Sequence, residues 1–162
     1  MPLESRLHRL LADRPASLRD AIAASRMLLR AASLLERRID AALAPHGLTM
    51  REYLALILIA DDAVEPLRPS DLGVSLDASR TRITRLLDGL EARGLVRRVP
   101  DAADRRSLHL TQTEAGAALV AMAAPLAHKA YLAAWAPLGE DGTRQAGDAL
   151  RRLHDHLAEG AP

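Results

Sequence analysis

The chain has 162 residues, 22 of them basic and 21 acidic, so its net charge of +1 selects neither nucleic acid nor membrane as a partner. It contains no cysteine, which excludes disulfide scaffolds, thiol catalysis and cysteine-ligated zinc or iron–sulfur centres. Hydrophobic residues make up 49 % but aromatic ones only 2 %, and phenylalanine is absent. A core built from Leu, Ala, Ile and Val favours helices over sheets. Lys129 is the single lysine, so 21 of the 22 cations are arginine, the side chain that forks onto phosphates and guanine edges; codon bias in a GC-rich genome gives the same enrichment. The longest unbroken apolar runs, Tyr53 to Ala60 and Ala117 to Ala124, are too short to span a bilayer or form a secretory signal core. These features point to a soluble, cytoplasmic, mainly helical protein.

Leu3, Leu7, Leu10 and Leu11 mark a short amphipathic helix ending near Pro15. Ser17 caps a long second helix, whose apolar stripe runs Ala24, Met27, Leu28, Ala31, Leu34, Leu35, Ile39, Ala42 and Leu43 before Pro45 and Gly47 end it. Thr49 followed three residues later by Glu52 is a capping-box pattern. The helix it opens carries Tyr53, Leu54, Leu56, Ile57, Leu58 and Ile59 and is apolar nearly all round, so it belongs at the centre of the subunit.

Asp61 to Pro69 reads as a loop, Ser70 opens a short helix through Leu76, and Asp77 or Ser79 caps another running to about Arg93. Gly94 suits the left-handed position that closes it, and the pair makes a helix-turn-helix. The period then changes: Leu95 to Val99 and Ser107 to Thr111 alternate, with Leu108 and Leu110 on one face and His109 on the other. With the polar tip Pro100 to Arg106 between them, they form a β-hairpin wing. The helical period returns at Thr113 with Glu114 in the first turn, and Pro125 kinks that helix without ending it. After Pro137-Leu138-Gly139 a last helix carries Ala146, Ala149, Leu150, Leu153 and Leu157.

Three stretches carry a family resemblance. Thr49-x-x-Glu52-Tyr53 with Ser70-Asp71-Leu72, the run from Ser79 to Leu87, and Leu90-Glu91-Ala92-Arg93-Gly94-Leu95-Val96-Arg97-Arg98 resemble the winged helix-turn-helix of MarR-type regulators. Asp104-Arg105-Arg106-Ser107 followed by Thr113-Glu114-Ala115-Gly116 is similar to the family's wing motif. Gln112 departs from the leucine usual before that threonine, which touches the packing of the second wing strand. The extra N-terminal helix and Leu67 to Leu72 resemble the urate-responsive branch, but Leu54 and Asp61 stand where its acidic residue and arginine are expected and no tryptophan lies near the N-terminus. Urate is therefore not the expected ligand.

The resemblance implies a mainly α fold: a winged helix-turn-helix with a small β-hairpin wing and a helical dimerisation region from both termini. The divisions are residues 1–48 (N-terminal helices), 49–112 (DNA-binding domain) and 113–162 (C-terminal dimerisation helices). It further implies a homodimer on a pseudo-palindromic double-stranded operator, a repressor released by a small-molecule effector such as an aromatic carboxylate. No membrane partner, cofactor, metal or catalysis is implied.

Ser79, Arg80, Thr81, Arg82 and Arg85 fall in the first two turns of the second helix of the pair. A recognition helix enters the major groove N-terminus first, and arginine is the commonest bidentate reader of guanine. Arg80 and Arg82 are assigned to base edges, Ser79 and Thr81 to bases or phosphate, and Arg85 to phosphate. Between residues 79 and 106 eight arginines face four acidic residues, a local +4 in a chain of +1. At the wing, Arg106 matches the arginine that the family inserts into the minor groove, Asp104 would orient it, and Arg105 and Arg97 would add phosphate contacts.

In relatives the effector pocket lies between the dimer helices and the DNA-binding lobe. His46, Met50, Tyr53, Arg37 and Arg38 cluster around the turn that should line it, with Arg30 and His8 reaching in from the N-terminal helices. An aromatic carboxylate wants one cationic side chain, a hydroxyl and apolar walls. His154 and His156 are two apart, about 200° around a helix, and cannot chelate one ion together. The rival to a DNA-binding regulator is a helical dimeric interaction module whose wing binds protein instead. Catalysis has no support in a nucleophile elbow, phosphate loop or zinc-binding His-Glu-x-x-His.

Overall fold

The computed structural model describes residues 14–60, 67–100 and 108–159. The first helix expected from the sequence, together with His8, lies outside them. Helix α1 spans Ala16–Leu43. It begins one residue before Ser17, which therefore sits inside the first turn and is not the cap. The chain divides into two compact units at a point within α1, after Arg38. In the first unit, Leu18, Met27, Leu28, Leu29 and Leu34 are exposed, and Arg37 donates to Ser33 Oγ at 2.7 Å one turn back.

The second unit starts with the last turns of α1, where Ile39 and Leu43 are fully buried. A 3-10 turn, Ala44–His46, follows. The capping box then forms as its spacing requires: Thr49 N donates to Glu52 Oε2 at 2.8 Å and Glu52 N to Thr49 Oγ1 at 3.2 Å. It opens α2, Met50–Ala60, and Met50 N donates to Asp40 Oδ1 at 2.7 Å, tying this start to the end of α1. Tyr53, Ala55, Leu56 and Ile59 of α2 are buried. Ile57 is 38 % exposed, so α2 has an open side and is not enclosed all round.

Helix α3, Pro69–Ser75, starts at the proline and not at Ser70. Proline suits the first helical position, where its missing N–H is not needed, and Asp71 Oδ2 accepts from Arg68 N at 3.1 Å. Helix α4 is Arg80–Ala92. Of the two candidate caps it uses Ser79, whose Oγ accepts from Arg82 N at 3.5 Å; Asp77 instead takes a left-handed backbone, φ 46°, in the turn. Gly94, φ 68°, closes α4 as expected.

Strands β1, Val96–Pro100, and β2, Leu108–Gln112, pair antiparallel with Arg98 opposite Leu110 and Val99 opposite His109. Strand β1 begins one residue later than the alternation suggested, and Ser107, the expected start of the second strand, lies outside the described residues. Leu110 is buried, but Leu108 on the same face is exposed. Helix α5, Glu114–Trp135, is capped by Thr113 and runs through Pro125. A second 3-10 turn, Ala136–Leu138, follows Trp135 and leads into α6, Gly139–Glu159.

The core gathers Ile39, Leu43, Leu56, Ile59, Leu72, Leu87, Leu90 and Leu110, with Ala123 and Ala127 of α5. The buried residues of α5 are small, Gly116, Ala123, Ala127 and Ala130, so its backbone can approach its neighbours closely. Helix α6 buries none of its residues. By length and averaged composition, a stretch within Glu114–Glu159 is apolar enough to cross a membrane. No single apolar run in it is that long, because Pro125 and then His128-Lys129 break the sequence.

Candidate nucleic-acid interface

The periodicity of α4 sorts its side chains. Ile83, Leu87 and Leu90, at spacings of four and three, are buried, which turns Arg80, Thr81, Arg82 and Arg85 to solvent on the other sides of the helix. All four lie in its first two turns. The Ser79 hydroxyl is engaged in the cap, so it has one role inside the fold already. Among the described residues no ion-pair partner faces Arg80, Arg82, Arg85 or Arg97.

The neighbouring arginines are committed elsewhere. Arg93 Nη1 meets Glu52 Oε1 at 3.1 Å, joining the end of α4 to the capping box of α2. Arg98 reaches Glu91 Oε2 at 2.9 Å and Asp88 Oδ1 at 2.6 Å. These pairs withdraw two of the eight cations and two of the four acidic groups between residues 79 and 106. The local excess of +4 therefore stays, carried by Arg80, Arg82, Arg85 and Arg97 together with residues 101–107, which hold Asp104, Arg105 and Arg106 outside the described residues.

On the wing, alternation sends neighbouring arginines to opposite faces. Val96 and Arg98 share the inward side, and Arg97 is exposed on the outward one. Gln112, inward like its partner Val96, donates from Nε2 to the Leu56 carbonyl at 3.1 Å. The turn into α5 is held by Thr113, whose Oγ1 donates to Gly94 O at 2.7 Å and accepts from Gly116 N at 3.0 Å. Leu95 O accepts from Thr113 N at 3.1 Å, and a Cβ at Gly116 would collide with that carbonyl. The wing thus starts and ends on one compact joint.

Two clefts flank α4. One, of about 650 Å³, lies against α3 and is lined by Pro69, Gly73, Val74, Ser79, Arg80 and Thr84. The other, of about 400 Å³, lies against the start of α2, with Arg51, Leu76, Arg82, Arg85 and Leu86 on its walls. Arg51 donates to the Leu76 carbonyl at 3.3 Å and so braces the turn between α3 and α4. Sequence reasoning passed over Arg51 because nothing in its spacing points to that turn.

The residues expected to hold an effector fall in both units. Arg30, Arg37 and Arg38 belong to the first, His46, Met50 and Tyr53 to the second. Tyr53 is only 2 % exposed, and burial pushes its phenol above the ordinary tyrosine value. Tyr131 of α5 is raised too, by burial first and then by the charge Tyr53 would carry, which places the two hydroxyls within electrostatic reach. Tyr131 went unread because only the packing of α5 on α2 brings it there.

A helix-turn-helix followed directly by a two-stranded wing, with arginines exposed along the second helix, defines a winged helix-turn-helix transcriptional regulator. The MarR family profile matches residues 46–107. The transcriptional repressor MprA of Escherichia coli is 33 % identical over 124 residues, 76 % of this chain and 70 % of MprA. Among solved structures, AbsC from Streptomyces coelicolor, a MarR family transcriptional regulator, superposes with a TM-score of 0.76 at 28 % identity, covering 85 % of this chain and 93 % of AbsC. A Mycobacterium tuberculosis MarR family protein in complex with p-aminosalicylic acid gives 0.63 at 27 %, covering 80 % and 97 %. The chain belongs to the MarR family of transcriptional regulators.

Proposed function

We propose that the chain is one subunit of a cytoplasmic homodimeric repressor that binds a pseudo-palindromic operator and is released by a small aromatic or organic acid. The observation that carries this reading is the division of labour among the arginines. Arg93 and Arg98 are paired inside the fold, while Arg80, Arg82, Arg85 and Arg97 stand exposed with no described acidic partner. Arg80 and Arg82 read base edges, Ser79 and Thr81 contact bases or phosphate, and Arg85 and Arg97 hold phosphates. Arg106, oriented by Asp104 and assisted by Arg105, enters the minor groove.

Residues 49–112 form the DNA-binding domain on this reading, and residues 1–48 and 113–162 hold the dimer together. Exposed Leu132, Leu138, Leu150, Leu153 and Leu157 favour a partner subunit over solvent, and the apolar stretch of α5 and α6 then belongs to a subunit interface, not a membrane. The protein acts by binding and carries out no catalysis. The p-aminosalicylic acid held by the M. tuberculosis relative supports an aromatic acid as effector. His8, Arg30, Arg37, Arg38, His46, Met50 and Tyr53 are its proposed contacts, and the ligand acts by favouring a spacing of the two recognition helices that no longer fits half-sites about 34 Å apart.

The test is a gel-shift titration against DNA upstream of the protein's own gene, across salt and with a panel of aromatic acids. Salt-sensitive binding with two subunits per site, relieved by one acid, is the expected result. Failure there and in a selection from random duplexes would hand the case to the protein-interaction module.

A further inference from the structure

Among the described arginines of the basic segment Arg98 has the most partners, and those described all lie inside the fold. Its backbone N–H donates to Glu91 Oε1 at 3.2 Å and its Nη1 to Glu91 Oε2 at 2.9 Å. Its Nη2 donates to Asp88 Oδ1 at 2.6 Å and to the Thr84 carbonyl at 3.5 Å. Thr84, Asp88 and Glu91 are spaced by four and three, so they form one stripe along α4, and that stripe begins at Arg80 one turn earlier. One guanidinium thereby grips about two turns of the helix from a single position on β1.

The other edge of the hairpin explains why the grip matters. Arg98 and Leu110 stand opposite each other, yet neither N–H bonds across the pair: Arg98 N goes to Glu91, and Leu110 N goes to Leu67 O at 2.8 Å. In an antiparallel ladder this is a non-hydrogen-bonded pair, with both N–H groups turned outward. A two-stranded hairpin is marginal by itself. Here its outward edges are held by Glu91 on one side and the Leu67 carbonyl on the other, and the Glu91 side is the one that fixes it to α4.

We infer that Arg98, through Glu91 and Asp88, is a positioning residue that sets the wing at a fixed place along the recognition helix, so that helix and wing meet the two grooves of one DNA segment together. The inference rests on the DNA-binding reading above and adds to it an arginine that contacts no DNA. A lysine keeps the charge but presents one compact ammonium in place of a planar fork, so R98K separates the latch from a simple phosphate contact. E91Q separates them by sign. Removing a negative charge near DNA strengthens binding if only charge matters, and weakens discrimination if the latch matters.

Wild-type, R98K and E91Q proteins are compared in two measurements. In amide hydrogen exchange of the free protein, Val99 and His109 should exchange roughly tenfold faster in both variants, with the Leu56 and Ile59 amides unchanged. Unchanged wing exchange overturns the inference whatever the DNA result. In binding, duplexes enriched from a random library by the wild type are set against scrambled duplexes of the same length. Both variants should lose roughly tenfold in discrimination between them. R98K discriminating like wild type, or E91Q binding tighter with discrimination intact, overturns it. If the wild type enriches no sequence, the regulator reading falls and the positioning role with it, a result distinct from any loss confined to the variants.

Discussion

Gln112 on β2 donates its amide to the main-chain carbonyl of Leu56, in the middle of α2, at 3.1 Å. The wing strand is thereby bonded to the central helix by a side chain at a position where the family resemblance led one to expect leucine. The half-buried setting makes that bond sensitive to what replaces the amide.

Gln112→Glu should put an acceptor-only carboxylate against a carbonyl and cost about 1–3 kcal/mol at neutral pH. The carboxyl regains a donor when protonated, so its folded-state pKa is raised and the deficit relative to wild type should shrink as pH falls through that value. Urea midpoints at pH 7 and near pH 4 read both halves of this statement.

Gly116 faces the Leu95 carbonyl with no room for a methyl group. Gly116→Ala should force β2 and α5 apart at their joint, with a loss of about 1–3 kcal/mol. Thermal melting of the variant against wild type checks it, and an unchanged midpoint would mean the joint relaxes freely.

Arg82→Ala should cost about 1–3 kcal/mol on a selected operator and relax sequence preference. Arg93→Ala is the internal comparison. Its partner is Glu52 and the pair is partly exposed, so stability should change by under about 1 kcal/mol and operator preference should stay intact. Competition binding with operator and mutated operator distinguishes the two variants.

Tyr53 and Tyr131 should both titrate above the ordinary tyrosine value of about 10, because burial disfavours the phenolate. A folded-state pKa raised above the unfolded one means the stabilising contribution is present below about pH 10 and is lost as pH climbs through the folded value. Absorbance at the phenolate band against pH reads the midpoints. In Tyr53→Phe the Tyr131 midpoint should move down yet stay raised, since burial is the larger of its two causes.

Much of this architecture is legible in local chemistry. The Thr49–Glu52 box, Gly94 after α4 and the change of period at the wing each depend on residues a few positions apart, and each appears where spacing puts it; for the cap of α4 spacing leaves Asp77 and Ser79, and the structure uses Ser79. Element starts differ at Ser17, which lies inside the first turn of α1, at Ser70, where the preceding proline takes the first helical position, and at Leu95, since β1 starts at Val96. The α4 face is readable from period 3.6, and the opposite senses of Arg97 and Arg98 from period 2. Contacts between distant segments are not: Gln112 with Leu56, Arg51 with Leu76 and Tyr131 near Tyr53 arise only from how the elements pack. The effector residues are least legible, since aromatic acids ask for common side chains in no fixed spacing.

The chain has one tryptophan, Trp135, and it stands at the junction where α5 gives way to the turn before α6. With no other indole present, the fluorescence of the whole protein reports from that single corner. If the last two helices pack against a second subunit, association and release become visible as a change in emission on dilution, without any attached label, and an effector that rearranges those helices would announce itself in the same signal.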